Sequence, residues 1–176
     1  SKQFKAPTEE KGLFGPKKKA FWAVKDLDFQ IKKGSVASIL GPNGCGKTTT
    51  LRMIAGMLTP SRGTVFVDSV DVRKDKQTVK SKIGYMTNNT SLYDRLSVIE
   101  TVKFFAELNQ IPADVYMPRA ETLFDQLDMR KYLNKRIADL STGMKQKTSI
   151  VRTLIHDPDL IVLDEPTTGV DAVSYT

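Results

Sequence analysis

The sequence predicts an α/β fold, on three observations. Residues 41–48 read GPNGCGKT, a glycine loop between a β-branched apolar run and a run with helical spacing. Residues 160–165 read LIVLDE, an apolar strand that ends on two carboxylates. Between about residue 89 and residue 153 the pattern is helical throughout, so that block is expected as an α-helical insertion in the core.

Bulk composition narrows the class. The 176 residues suffice for one large domain, or for a core with a small subdomain. With 40% hydrophobic and 27% charged residues the composition is that of an ordinary globular chain, which argues against disordered and fibrous classes. No apolar run approaches a membrane-spanning length, and no signal-peptide pattern opens the sequence. Cys45 is the only cysteine, which excludes an internal disulfide and suits a reducing compartment. The formal charge of +7 is compatible with nucleic acid, a membrane surface or bound polyphosphate. The compact block Lys17, Lys18, Lys19 is read as a solvated loop, because no zinc-ligand spacing or RNA-binding aromatic motif accompanies it.

The elements follow in order. Residues 1–20, punctuated by Pro7, Gly12, Gly15 and Pro16, read as a loose segment. Val24 and then the alternating Leu27, Phe29 and Ile31 predict a strand within 21–31, and residues 35–40 (SVASIL) predict a buried one. Leu51, Ile54, Ala55 and Leu58 give the first helix its apolar face. After the turn at 59–63, residues 64–67 read as a short strand, with Asp68 and Ser69 opening the next loop. Residues 80–85 are expected as a strand ending near 86–88. Ser97 and Glu100 form a capping-box pattern before a helix whose face is Val98, Val102, Phe105 and Leu108. Pro118 is expected to start the next helix, with Ala120, Leu123, Phe124 and Leu127 as its stripe.

The loop at 41–48 fits the phosphate-loop template G-x-x-x-x-G-K-[ST] without mismatch. The plainer reading is a glycine-rich turn entering a helix; the flanking strand and helix patterns favour the phosphate site. Gly41, Gly44 and Gly46 let backbone N–H groups converge on phosphate oxygens, with Pro42, Asn43, Cys45 and Thr49 completing the cradle. The helix beginning near Lys47 adds its positive end. Lys47 is placed to reach the β- and γ-phosphates, and the Thr48 hydroxyl to take a Mg²⁺ position. At the second strand's carboxyl end, Asp164 is expected to hold Mg²⁺ through water and Glu165 to polarise the attacking water. Ser141 can cap the helix opened by residues 140–146 (LSTGMKQ), leaving Gly143 to admit a phosphate near its N-terminus.

Taken together, these motifs make the chain, from about Phe14 onward, resemble the ATP-binding subunit of an ABC transporter. In that resemblance 41–48 is similar to Walker A, 160–165 to Walker B, and 140–146 to the LSGGQ signature, with Thr142 in its third position. Residues 168–171, ending at Asp171, resemble the D-loop. Phe14 stands where an adenine-stacking aromatic is usual, with Phe21 and Trp22 as competitors. Asn88 occupies the place of the family's Q-loop glutamine, one methylene shorter, as a further Mg²⁺ contact.

The resemblance implies a P-loop NTPase with a RecA-like core, an antiparallel β edge and an α-helical subdomain. Residues 1–88 and 154–176 would form the core, and 89–153 the helical subdomain. It further implies ATP and Mg²⁺ as cofactors, and Glu165 and Lys47 as catalytic residues. Ser141, Thr142 and Gly143 would meet the γ-phosphate bound by a second protomer, in a head-to-tail homodimer or a heterodimer with another ATPase subunit. An integral-membrane permease would dock near Asn88 and the helical insertion, placing the protein peripherally on the cytoplasmic side of the cell membrane, with no nucleic acid partner. The run 88–96 and the STGMKQK segment look like those of sodium-efflux and related ABC-2-type exporters. The alternative is a soluble ABC ATPase acting on ribosomes or DNA, which usually carries two cassettes or a coiled-coil insertion. The family's switch histidine would lie past Thr176, and His156, which precedes the 160–165 strand, cannot replace it. A chain ending at Thr176 is therefore expected to turn ATP over poorly.

Overall fold

The computed structural model describes residues 1–12, 15–87 and 92–165. Residues 1–79 and 80–176 form two compact units.

The first unit opens with a β-hairpin, β1 (Lys2–Gly12) paired antiparallel with β2 (Gly15–Val24). This corrects the loose segment expected for 1–20 and places Lys17, Lys18 and Lys19 in a strand rather than a loop. The ladder shifts register between Pro7 and Lys11, where a residue without an N–H interrupts pairing at little cost. The strands expected within 21–31 and at 35–40 are corrected as well. Phe21 to Val24 belong to β2, but residues 25–40 have no regular strand, and Val36 (98%) and Leu40 (89%) are exposed. β-branched and alternating apolar residues make a segment fit for a sheet, yet a strand exists only where a neighbour takes its backbone hydrogen bonds.

Helix α1 (Lys47–Ile54) follows the glycine loop. Its C-terminus is closed by Gly56 in the left-handed region, whose N–H donates to Met53 O while Met57 N–H donates to Arg52 O. Next come β3 (Phe66–Val67) and β4 (Val70–Asp71), joined through Asp68 and Ser69 at φ 48° and 65°. Two successive positive φ values make this a type I′ turn, which matches the twist of a tight hairpin. The expected loop at Asp68 is thus a two-residue reversal, hidden in the sequence because neither position is glycine. Helix α2 (Lys76–Ser81) occupies part of the segment read as a strand at 80–85; the strand itself, β5 (Ile83–Thr87), begins later.

The second unit pairs β5 in parallel with β6 (Leu160–Asp164), Thr87 standing opposite Asp164. Gly84 lets the end of the last helix approach, since a Cβ there would lie 2.8 Å from Thr153 O and 3.0 Å from Pro158 Cγ. The helices are α3 (Val98–Leu108), α4 (Ala113–Gln126) and α5 (Thr142–Leu154), with short 3-10 turns at Arg130–Tyr132 and Ile137–Asp139. Their core includes Val98, Val102, Tyr116, Phe124, Met129, Ile137 and Ile155.

The capping box before α3 is as expected: Ser97 Oγ accepts from Glu100 N–H at 3.3 Å, and Glu100 Oε2 accepts from Ser97 N–H at 2.8 Å. Those Ser97 bonds hold the Glu100 carboxyl below its ordinary range. Pro118 does not start α4; it lies inside, six residues past Pro112 at the N-cap. An interior proline forfeits a helical hydrogen bond, at a cost of about 3 kcal/mol, and burial of Tyr116, Ala120 and Phe124 along the same helix offsets it.

Both α3 and α4 end in the same way. Gln110 and Asp128 take left-handed φ of 58° and 54°, while Ile111 N–H donates to Ala106 O and Met129 N–H to Phe124 O. Helices α4 and α5 also cap each other: Arg119 of α4 donates to Ile155 O at 2.7 Å, and Lys147 of α5 donates to Leu127 O at 2.8 Å. Each cation thus meets the negative end of the neighbouring helix.

Candidate functional site

The glycine loop is built against the end of β2. Gly46 caps α1 with φ 98°, and a Cβ there would lie 2.5 Å from Ala23 O and 2.8 Å from Val24 Cγ2. Only glycine fits both the conformation and the space. Gly44 also has positive φ, 82°, but faces open space, and a Cβ at Gly41 would strike Cys45 Sγ at 2.6 Å. Cys45 N–H donates to Pro42 O at 3.3 Å, closing the loop, and Thr50 N–H donates to Gly46 O at 2.9 Å as α1 begins. Residues 41–45 are exposed, Asn43 and Cys45 among them, while Lys47, Thr48 and Thr49 are half-buried.

Lys47 Nζ donates to Gly41 O at 2.8 Å and Pro42 O at 3.0 Å. The ammonium therefore lies back across its own loop. An anionic oxygen is a stronger acceptor than a peptide carbonyl, so a phosphate would exchange two bonds to neutral oxygens for bonds between opposite charges.

In the second unit, β6 alternates: Val162 and Asp164 are buried, Ile161 and Leu163 half exposed. Asp164 ends the strand at 7% exposure, and its Oδ2 accepts a hydrogen bond from Tyr85 Oη at 2.9 Å. Sequence reasoning passed over Tyr85; its signal was the single aromatic, and a hydroxyl-bearing one, in the strand Ile83–Thr87. Glu165 is exposed and takes φ 53°, so the chain turns out of the strand at that residue. Ser141 caps α5 as expected, its Oγ accepting from Met144 N–H at 3.3 Å. Ser141, Thr142 and Gly143 all lie exposed, with nothing within 4 Å of a Cβ built at Gly143. Phe14, Asn88 and Asp171 lie outside the described residues.

The glycine loop heading a helix, the strand ending on Asp164 and Glu165, and the capped start of α5 agree with a comparison to known families: the ABC transporter model matches residues 24–168. The chain belongs to the ABC transporter family. It is 46% identical over 162 residues to the ABC transporter ATP-binding protein NatA of Bacillus subtilis (strain 168), covering 92% of this chain and 66% of NatA. It is 35% identical over 148 residues to the Nod factor export ATP-binding protein I of Cupriavidus pinatubonensis, covering 84% of this chain and 46% of that protein. The chain thus spans just under two thirds of one relative and less than half of the other.

Among solved structures, the ATP-binding cassette MJ0796, dimeric in a post-hydrolysis state with ADP and Pi, superposes with a TM-score of 0.78 at 26% identity. That match covers 97% of this chain and 73% of the cassette. The fold is the P-loop NTPase fold of ABC cassettes.

In this ABC chain His156 stands just past α5. Its Nε2 lies 3.1 Å from Ile83 O, and its Nδ1 is buried with no hydrogen-bond partner among the described residues. Desolvation, with the nearby Arg119 charge, pushes the imidazole below its ordinary 6.5, against the bond to Ile83 O and the Asp157 charge. Below pH 6.5 the unfolded chain takes up a proton that the folded chain refuses, so stability falls as pH drops through that value toward the folded pKa. Thermal melts from pH 7.5 to 5 should show a steeper acid loss for the wild type than for His156→Gln. Parallel curves would mean that this histidine titrates as it does in water.

Proposed function

We propose that this chain is the ATP-binding and hydrolysing subunit of an ABC transporter, powering export through a separate integral-membrane permease from the cytoplasmic face. The observation that carries the reading is the loop at 41–48: Gly46 is forced by Ala23 and Val24, and Lys47 waits across the loop at the head of α1. Loop amides and the helix end bind the phosphates, and Lys47 moves from its carbonyl partners to the β- and γ-oxygens. Glu165, exposed just past the strand, orients the attacking water and accepts its proton.

The residues fit Mg²⁺, a hard cation that takes oxygen donors and is held by few protein groups beside substrate phosphates. A threonine hydroxyl at the loop and one buried carboxylate, Thr48 and Asp164, are such donors, with Asn88 as a further contact. Among the described residues no group of three His, Cys, Asp or Glu side chains could hold a metal ion by itself. When bound, Mg²⁺ would neutralise charge building on the phosphate oxygens.

In this reading 1–88 and 154–176 form the nucleotide-binding core and 89–153 the helical subdomain. The exposed Ser141, Thr142 and Gly143 meet the nucleotide of a second subunit, joined head to tail. MJ0796 is dimeric in its ADP and Pi state, which supports an assembly of two subunits. In this reading Phe14, or Phe21 or Trp22 in its place, would stack the adenine, and Asp171 would belong to the D-loop that signals to the partner. Export is favoured by the Nod factor relative, whose name specifies it.

Nucleotide binding is tested at Cys45, an exposed thiol inside the loop. A maleimide should label it readily in the free protein, and MgATP should slow labelling at least tenfold. Equal rates with and without nucleotide would remove ATP from this loop.

A further inference from the structure

We propose that Tyr85 is a positioning residue for the Asp164 carboxylate: its phenol sets the rotation of the group that faces the Mg²⁺ of a bound nucleotide. The proposal rests on the reading of Asp164 as a metal-facing carboxylate. It starts from strand register. In the parallel pair Thr87 stands opposite Asp164 and Tyr85 opposite Val162, so Tyr85 lies two residues back from the direct partner of Asp164, on the same face of the sheet. A side chain as long as tyrosine's spans that diagonal, and Tyr85 Oη donates to Asp164 Oδ2 at 2.9 Å.

Burial gives the bond its importance. Asp164 is 7% exposed, and a carboxylate withdrawn from water depends on the donors that face it. A phenol giving its proton to a carboxylate makes a charge-assisted bond, stronger than one between neutral groups. Phenylalanine would fill the same space between the strands, so packing alone does not account for the hydroxyl. The bond holds one carboxylate oxygen and so helps to set how the group is turned at the end of β6. Partners of this kind, which touch the ligand but not the metal, commonly change metal affinity by about 10–100-fold when removed.

The test is a Mg²⁺ titration of nucleotide binding by the full chain, followed with a fluorescent ATP analogue and repeated with Mn²⁺ by electron paramagnetic resonance. For Tyr85→Phe the half-saturating metal concentration should rise about tenfold. Nucleotide affinity in EDTA and the melting temperature of the metal-free protein should stay at wild-type values, which a general packing defect would not allow. Asp164→Asn should weaken the metal response by itself, and adding Tyr85→Phe to it should change nothing more. An unchanged metal midpoint, an equal loss of affinity in EDTA, or a Tyr85 effect that persists beside Asp164→Asn would each overturn the proposal. A wild-type protein that binds nucleotide with no response to Mg²⁺ would instead overturn the metal reading of Asp164, before the variants are compared.

Discussion

Glu165→Gln is expected to bind ATP as well as the wild type and to turn it over more slowly by a factor on the order of 10²–10⁴ or more. The substitution keeps the side chain's length and a hydrogen-bonding oxygen but removes the basic site. Glu165 is exposed, directly follows the buried Asp164, and sits where a φ of 53° turns the chain out of β6. The exchange of a carboxylate for an amide of the same shape at an exposed position should let the variant fold and melt like its parent. Bound ATP that is not consumed should also prolong the two-subunit state, seen as a shift in elution when ATP is added. Phosphate release, ATP affinity and elution volume measured together check this. Near-normal phosphate release would place the base at another residue.

Gly46→Ala is expected to cost both stability and binding. A left-handed alanine costs roughly 1–2 kcal/mol, and an unaccommodated methyl group in packed surroundings roughly 1–3 kcal/mol more. The methyl would lie 2.5 Å from the backbone oxygen of Ala23, which cannot rotate away as a side chain can. The strand end, the loop or the start of α1 must shift, and any of these moves the amides that face phosphate. Gly44→Ala is the control: its φ of 82° brings the conformational cost, but no atom lies within 4 Å of the new carbon. The Gly46 variant should therefore melt several degrees below the Gly44 variant, and its ATP affinity should fall more than tenfold. Equal melting temperatures for the two would show that β2 does not confine the loop.

Local chemistry was legible in the sequence, and distant pairing was not. The capping box of Ser97 and Glu100, the Ser141 cap and the glycine loop each span a few residues, and the structure has each in place. The β1–β2 hairpin was hidden because Pro7, Gly12, Gly15 and Pro16 look like loop punctuation, and the ladder absorbs Pro7 at a register shift. Leu27, Phe29 and Ile31 failed in the opposite sense, since alternation describes one strand and says nothing of its neighbour. Pro118 misled because proline favours a helix start, yet burial of α4 carried the helix through it. The bond between Tyr85 and Asp164 joins residues 79 positions apart and follows only from the register of β5 on β6.

The exchange of cations between α4 and α5 has a mechanical side. Arg119 grips the far end of α5, and Lys147, within α5, grips the end of α4. Sliding either helix along its axis would stretch both grips at once, so the pair behaves as a stiff rod rather than two loose ones. Ser141 sits at the tip of that rod, fastened to it through the Met144 amide. Ser141, Thr142 and Gly143 thus stand at the start of a helix whose other end is tied to α4.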